Sequence, residues 1–178
     1  MDKQTLRRQV REAKKAVPLN IKQLHSQAVM RQVEQLPQFE QAKVVLLYWS
    51  MDDEVYTHDF VERWWQRKTL LLPCVDGNSL RLRRYEGPGS MHDGPQFGIP
   101  EPMGEEFTAL DQVDLIVVPG VAFDSHCNRM GRGRGFYDRL LASTPCAYKV
   151  GVAFSFQMFD QIPVEPFDMP MDTVLTEP

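Results

Sequence analysis

Between Asn128 and Asp138 the chain reads Asn-Arg-Met-Gly-Arg-Gly-Arg-Gly-Phe-Tyr-Asp, with Gly131, Gly133 and Gly135 alternating with Arg132 and Arg134. Glycines at that spacing let a backbone approach a phosphate closely and aim successive N–H groups at it. Arginines add bidentate charge. A helix is expected from about Gly135 to Ala142, directing its positive end at the same spot. Asp138, in its first turn, could hold a magnesium ion bridging phosphates. The run is neither a Gly-x-x-x-x-Gly-Lys-Ser/Thr loop nor the dinucleotide fingerprint. A flexible Gly/Arg loop or an RNA-contacting RG tract fits the same residues. An RG tract belongs in disordered sequence, however, and this run is wedged between buried elements.

The other candidates are single residues. Lys3 and Arg7 lie four apart on one helix edge and could reach the same polyphosphate; by periodicity alone a solvated basic face fits them better. Glu54, in Ser-Met-Asp-Asp-Glu-Val, lies just past an apolar strand, where a ligand carboxylate would stand, although most acidic loop residues are merely solvated. Asp172 carries the same ambiguity. Trp64 and Trp65 read as core. The four histidines are isolated, and none forms a nucleophile-base pattern.

These residues need elements to position them. Residues 2–17 read as a helix whose apolar stripe is Leu6, Val10, Ala13 and Val17, with Lys3, Arg7 and Lys14 along its edge. A second helix runs through Ile21, Leu24, Ala28, Val33 and Leu36 and is stopped by Pro37. Lys43–Trp49, Thr69–Val75, Asp114–Pro119 and Lys149–Phe154 are strand-length and apolar, as parallel strands covered on both faces are. Asp59–Arg67 reads as a helix, Leu80–Tyr85 as a more exposed strand, and Asp172–Thr176 as a short terminal strand. Residues 86–106, rich in Gly and Pro, read as a long ordered loop. Strands alternating with helices imply a single-domain α/β fold over residues 1–178: a mostly parallel, Rossmann-like sheet with helices on both faces. Ligands bind such sheets beyond the carboxyl ends of the strands, and the Gly-Arg run begins nine residues past Pro119.

Composition narrows the classes. The chain has 178 residues, 43% hydrophobic and 25% charged, with a formal net charge of -4, which argues against a general nucleic-acid binder. Cys74, Cys127 and Cys146 form no disulfide framework or zinc spacing, and Cys74 reads as a core residue in a reducing compartment. No apolar run approaches the ~18 residues that span a bilayer. The first residues lack a signal-peptide core, and Asp2 and Glu12 among the basic residues speak against a mitochondrial presequence. A cytoplasmic protein without membrane partners is expected.

Taken together the segments resemble the 5-formyltetrahydrofolate cyclo-ligase, or methenyltetrahydrofolate synthetase, family. The resemblance rests on Lys3-x-x-x-Arg7, Met51–Glu54, Phe97-Gly-Ile-Pro-Glu-Pro102 and Val118-Pro-Gly-Val-Ala-Phe-Asp124. It continues with Arg129–Asp138, Val150-Gly-Val-Ala-Phe and the Pro163–Glu177 tail, in family order and over nearly the whole chain. The Gly-Arg block is the specific part. The resemblance implies conversion of 5-formyltetrahydrofolate to 5,10-methenyltetrahydrofolate with ATP and Mg²⁺, releasing ADP and phosphate; a monomer and a substrate that includes polyglutamylated folate are the accompanying expectations. It implies ATP contacts from Lys3, Arg7 and Arg129, Met130, Gly131, Arg132, Gly133, Arg134, Gly135, Phe136 and Tyr137. It implies folate contacts from Met51, Glu54 and Arg132–Phe136, metal contacts from Asp138 and Asp172, and catalytic roles for Arg132 and Arg134. Phe136 stands where the family commonly has Tyr, which keeps the ring and loses a hydroxyl. A sugar-phosphate isomerase or acyl-CoA transferase relative on a similar scaffold is the other reading, and it predicts phosphate binding without ATP hydrolysis.

If the Gly-Arg run cradles a polyphosphate, Arg134→Ala should cut nucleotide use by ~10-fold or more, with its thermal melt close to that of the parent. A variant that is unfolded, or fully active, would contradict this role.

Overall fold

The structure is a computed structural model in which residues 1–95 and 98–178 are described. Helix α1 (Lys3–Ala16) starts at Asp2, whose Oδ1 accepts the Thr5 N–H at 2.7 Å. Its buried face is Leu6, Val10 and Lys14, whereas Ala13 and Val17 are only half-buried. The stripe therefore turns toward a lysine, because this side of the helix forms the wall of a cleft. Helix α2 (Leu19–Glu34) buries Ser26, Val29, Met30 and Val33 and leaves Leu24 60% exposed. The buried face is shifted because Ser26 Oγ accepts the Tyr56 N–H at 2.9 Å, turning that side inward. Pro37 does more than end α2. It opens the short helix α3 (Pro37–Gln41), where a missing N–H costs nothing.

Strand β1 (Val44–Leu46), helix α4 (His58–Trp64), β2 (Thr69–Asp76) and β3 (Ser79–Arg84) follow. The 86–106 segment is more than a loop: it carries a hairpin of β4 (Met91–Asp93) and β5 (Pro100–Pro102), in which His92 pairs with Glu101. Phe97, at the start of the Phe97–Pro102 motif, lies outside the described residues. Strand β6 (Leu115–Val118) leads to β7 (Ala122–Asp124) and β8 (Arg129–Met130). Then come α5 (Phe136–Ala142), β9 (Tyr148–Val152), β10 (Met158–Phe159) and β11 (Thr173–Leu175).

The main sheet has the order β11-β9-β6-β1-β2-β3, parallel throughout except for β3, which pairs antiparallel with β2. The strands thus stand in the doubly wound order of dinucleotide-binding folds. Alternation decides the faces. Val45, Leu47, Leu70, Leu72, Leu115 and Val117 pack on one side with α2, α3 and α4. Leu46, Leu71, Ile116 and Val118 pack on the other with Leu140 and Leu141 of α5. Cys74 is buried, and Trp64 and Trp65 pack against the first cluster. Helix α1 covers neither face; Leu6 and Val10 dock on Ala122 and Met130 of a small sheet ordered β10-β7-β8. No described helix is long and apolar enough to cross a membrane.

The neighbours β1 and β6 send their chains away from each other, β1 on to β2 and β6 on to β9. Beyond their carboxyl ends a gap opens that no strand fills, which is where such sheets take ligands. Leu46 is fully buried at the centre of this sheet. Leu46→Ala should cost ~2–5 kcal/mol, read as a lowered urea midpoint at unchanged slope.

Candidate active site

A cavity of about 840 Å³ occupies that gap, within the range that holds small-molecule ligands. Its walls are α1, the segment after β1, the Gly-Arg run after β8, the hairpin residue Glu101 and the tail from Glu165 to Asp168. Lys3, Arg7, Met51, Glu54 and the whole Arg129–Asp138 run line it. Asp172 does not, a correction to its expected place with the others. It stands just before β11, exposed at the amino end of the sheet, where its Oδ2 accepts the Lys149 N–H at 2.7 Å. Parallel strands begin and end together, so a residue preceding β11 faces away from a cleft at the carboxyl ends.

The segment after β1 is held by its own polar groups. Thr57 Oγ1 donates to Tyr48 O at 2.6 Å, the Ser50 and Thr57 amides each donate to the other's hydroxyl, and Tyr48 Oη donates to Val55 O at 2.7 Å. This knot presents Met51–Glu54 to the cavity. Glu54 Oε1 accepts the Met51 N–H at 2.9 Å. Burial raises the Glu54 carboxyl above its usual range, against that hydrogen bond and the charge of Arg132. Asp53, beside it, goes the other way. Burial pushes it up, but Lys14 and Arg132 outweigh that and hold it low. Lys14 is itself buried, which lowers its pKa, with Asp53 opposing.

The Gly-Arg run is anchored from below. Asp124 is buried and accepts from the His126, Asn128 and Ile162 amides and from Asn128 Nδ2, at 2.9–3.1 Å. That fixes the turn into Arg129, whose Nε donates to Pro119 O at 2.6 Å while its guanidinium lies 5.0 Å from the Tyr137 ring centre. Gly133 and Gly135 have φ of 106° and 71°, a region that side chains with a Cβ rarely occupy. Arg7 Nε donates to Gly131 O at 3.0 Å, tying α1 to the run. Arg132 Nη2 faces both Asp53 oxygens at 3.3–3.4 Å, and Arg134 is exposed. Helix α5 begins at Phe136 and has only seven residues, so arginine charge and backbone amides outweigh its dipole here. At the mouth, Lys3 Nζ is 3.4 Å from Asp168 Oδ2 and 4.0 Å from Glu165 Oε1. Asp138 lines the cleft and accepts the Met169 N–H on Oδ1 at 3.2 Å.

Several lining residues carried no signal as site residues in the sequence. Asp168, Glu165 and Arg11 belong here, as does Glu101, whose Oε2 accepts the Val75 N–H at 2.8 Å. Asp53 could have been found beside Glu54. Lys14 could have been found seven residues beyond Arg7 on the same face, where the apolar stripe hid it. The cleft gathers seven cationic and six acidic side chains beside half-buried apolar surface from Trp49 and Ile99. Such a site can hold a polyphosphate against the Gly-Arg run and a planar polar ring near Glu54.

Comparison with known proteins gives one consistent result. The sequence profile of the 5-formyltetrahydrofolate cyclo-ligase family matches residues 1–177. A protein of that name from Haemophilus influenzae is 32% identical, over 95% of this chain and 96% of its own length. One from Mus musculus is 29% identical, over 98% and 93%. Among solved structures, the 5,10-methenyltetrahydrofolate synthetase of Aquifex aeolicus superposes with a TM-score of 0.88 at 38% identity, covering 98% of this chain and 89% of that one. That of Mycoplasma pneumoniae gives 0.78 at 25% identity, covering 99% of both.

The charge of the cleft can be checked without any substrate. Inorganic tripolyphosphate should bind with salt-sensitive affinity, followed by the emission of Trp49 in the cavity wall. Arg7→Gln should weaken it by roughly 10-fold, the worth of one charged hydrogen bond.

Proposed function

This chain belongs to the 5-formyltetrahydrofolate cyclo-ligase family, and we propose that its cleft converts 5-formyltetrahydrofolate to 5,10-methenyltetrahydrofolate, using Mg-ATP and releasing ADP and phosphate. The observation that carries this reading is the meeting of the Gly-Arg run and Glu54 in one cavity beyond β1 and β6. A phosphate loop alone would suit many enzymes, and a buried carboxylate alone would suit a binding protein. Side by side they bring a phosphoryl donor to a polar heterocycle. The isomerase and transferase readings lack the support of the family match.

An amide oxygen is a poor leaving group, so the reaction activates it. The formyl oxygen attacks the γ-phosphorus, the bond to the β,γ-bridging oxygen breaks, and ADP leaves with that electron pair. N10 then adds to the activated carbon and gives its proton to solvent. The carbon–oxygen bond breaks, phosphate departs with the pair, and the methenyl cation remains. Phosphoryl transfer needs positioning and charge more than a protein nucleophile. Backbone amides of Gly131–Gly135 with Arg132 and Arg134 would hold the γ-phosphoryl group, while Lys3, Arg7 and Arg129 hold the rest of the nucleotide. Met51 and Glu54 would seat the pterin, the carboxylate accepting from its polar edge. Misplacement there could cost ~100-fold in rate.

The side chains fit a hard divalent cation. Lining cations and acids nearly balance, so a polyphosphate would bring uncompensated negative charge into the cleft. Mg²⁺ commonly takes one or two carboxylates together with substrate phosphates, and Asp138 is an oxygen donor beside the phosphate run. Among the described residues no group of three or more His, Cys, Asp or Glu forms a metal cage, which that mode of binding does not need. When bound, the ion would neutralise charge on the phosphates. Polyglutamylated folate as substrate, action as a monomer and one folded unit over residues 1–178 complete the reading.

Incubation with 5-formyltetrahydrofolate and Mg-ATP should generate the methenyl chromophore, with none in the absence of ATP. No ATP-dependent absorbance change would sink the proposal. Glu54→Gln should raise the folate KM by roughly 10-fold with a smaller change in kcat; an unchanged folate KM would remove Glu54 from the folate site.

A further inference from the structure

Asp53 has no part in the proposed reaction, yet the two cationic walls of the cleft meet on it. Lys14 Nζ approaches its Oδ2 to 3.6 Å from α1, and Arg132 Nη2 faces Oδ1 and Oδ2 at 3.4 and 3.3 Å from the Gly-Arg run. Lys14 is 7% exposed and fixed by the packing of α1. Asp53 is held through the knotted segment after β1. Among the described residues Arg132 has no such support: it is half-exposed between Gly131 and Gly133, and Asp53 is its hydrogen-bond partner. Its direction is therefore set by one carboxylate, and that carboxylate is the immediate neighbour of Glu54.

We propose that Asp53 is a positioning residue for phosphoryl transfer: anchored by Lys14, its carboxylate holds the Arg132 guanidinium at the Glu54 side of the cleft. This rests on the reading of the cleft as a cyclo-ligase site. The formyl oxygen must meet the γ-phosphoryl group between Glu54 and the Gly-Arg run, and Arg132 is kept at that seam. Without Asp53, the arginine would fold onto the ground-state phosphates. An interaction made equally in the ground state improves binding and does not speed the chemical step. A donor fixed in advance where charge develops does speed it.

The signature is a split that a folding defect does not produce. Asp53→Asn should bind Mg-ADP about 3-fold more tightly, since the loss of a half-exposed ion pair frees only a modest interaction. It should form methenyl product roughly 10-fold more slowly in a single turnover, and Asp53→Glu should recover part of that rate. Both effects should vanish when Asp53→Asn is made in an Arg132→Ala background, because coupled residues are not additive. Weaker binding together with slower turnover, or the same Asp53→Asn effects with Arg132 already removed, would overturn the proposal. If the parent protein binds Mg-ADP but makes no methenyl product, the cyclo-ligase reading fails, and the binding half of the cycle still decides whether Asp53 restrains Arg132. A parent that binds no nucleotide overturns both.

Discussion

Two adjacent parallel strands end at the same level, and when their chains depart in opposite directions nothing of the sheet can fill the space between them. That constraint, at the carboxyl ends of β1 and β6, organises the protein. The strands are buried on both faces, so their apolar alternation leaves no room for polar chemistry within the sheet. Polar groups are confined to the ends. There the segment after β1 satisfies its backbone through Tyr48, Ser50 and Thr57, and the turn before Arg129 does so through Asp124. Both knots form rigid rims on a gap the topology had already opened.

Helix α1 closes the gap from the outside. Because Leu6 and Val10 dock on the small β10-β7-β8 sheet, Lys3, Arg7 and Lys14 are carried to the cavity wall. The helix and the Gly-Arg run are then joined by Arg7 to Gly131 O, and through Asp53 by Lys14 and Arg132. Cations so concentrated would repel one another. The interleaved carboxylates of Asp53, Asp138, Glu165 and Asp168 offset this, so the cleft nears charge balance without a ligand. On the proposed function, a phosphate would exchange with an existing carboxylate or arrive with its own counter-ion.

Much of this was legible in the chain. Apolar runs marked β1, β2, β6 and β9, and the doubly wound class followed from their alternation with helices. The Gly-Arg run was visible because its chemistry is local: glycine and arginine at that spacing mean the same thing before and after folding. The β4–β5 hairpin was not legible, because its strands of three residues are too short for a period to show. The small sheet that carries Arg129 escaped for the same reason, with strands of two or three residues. Asp172 was misplaced because its sequence neighbourhood says nothing about which end of the sheet it occupies.

Local pattern alone determined the kinds of element and the candidacy of Asn128–Asp138, Lys3, Arg7 and Glu54 as site residues. The family resemblance extends that to an expected ligand pair. Tertiary structure decided which charges meet. Arg132 and Asp53 are 79 residues apart, and Lys3 and Asp168 are 165 apart. No periodicity spans such distances. An ion pair is a relation between positions in space, and the sheet order that creates those positions is a property of the whole chain.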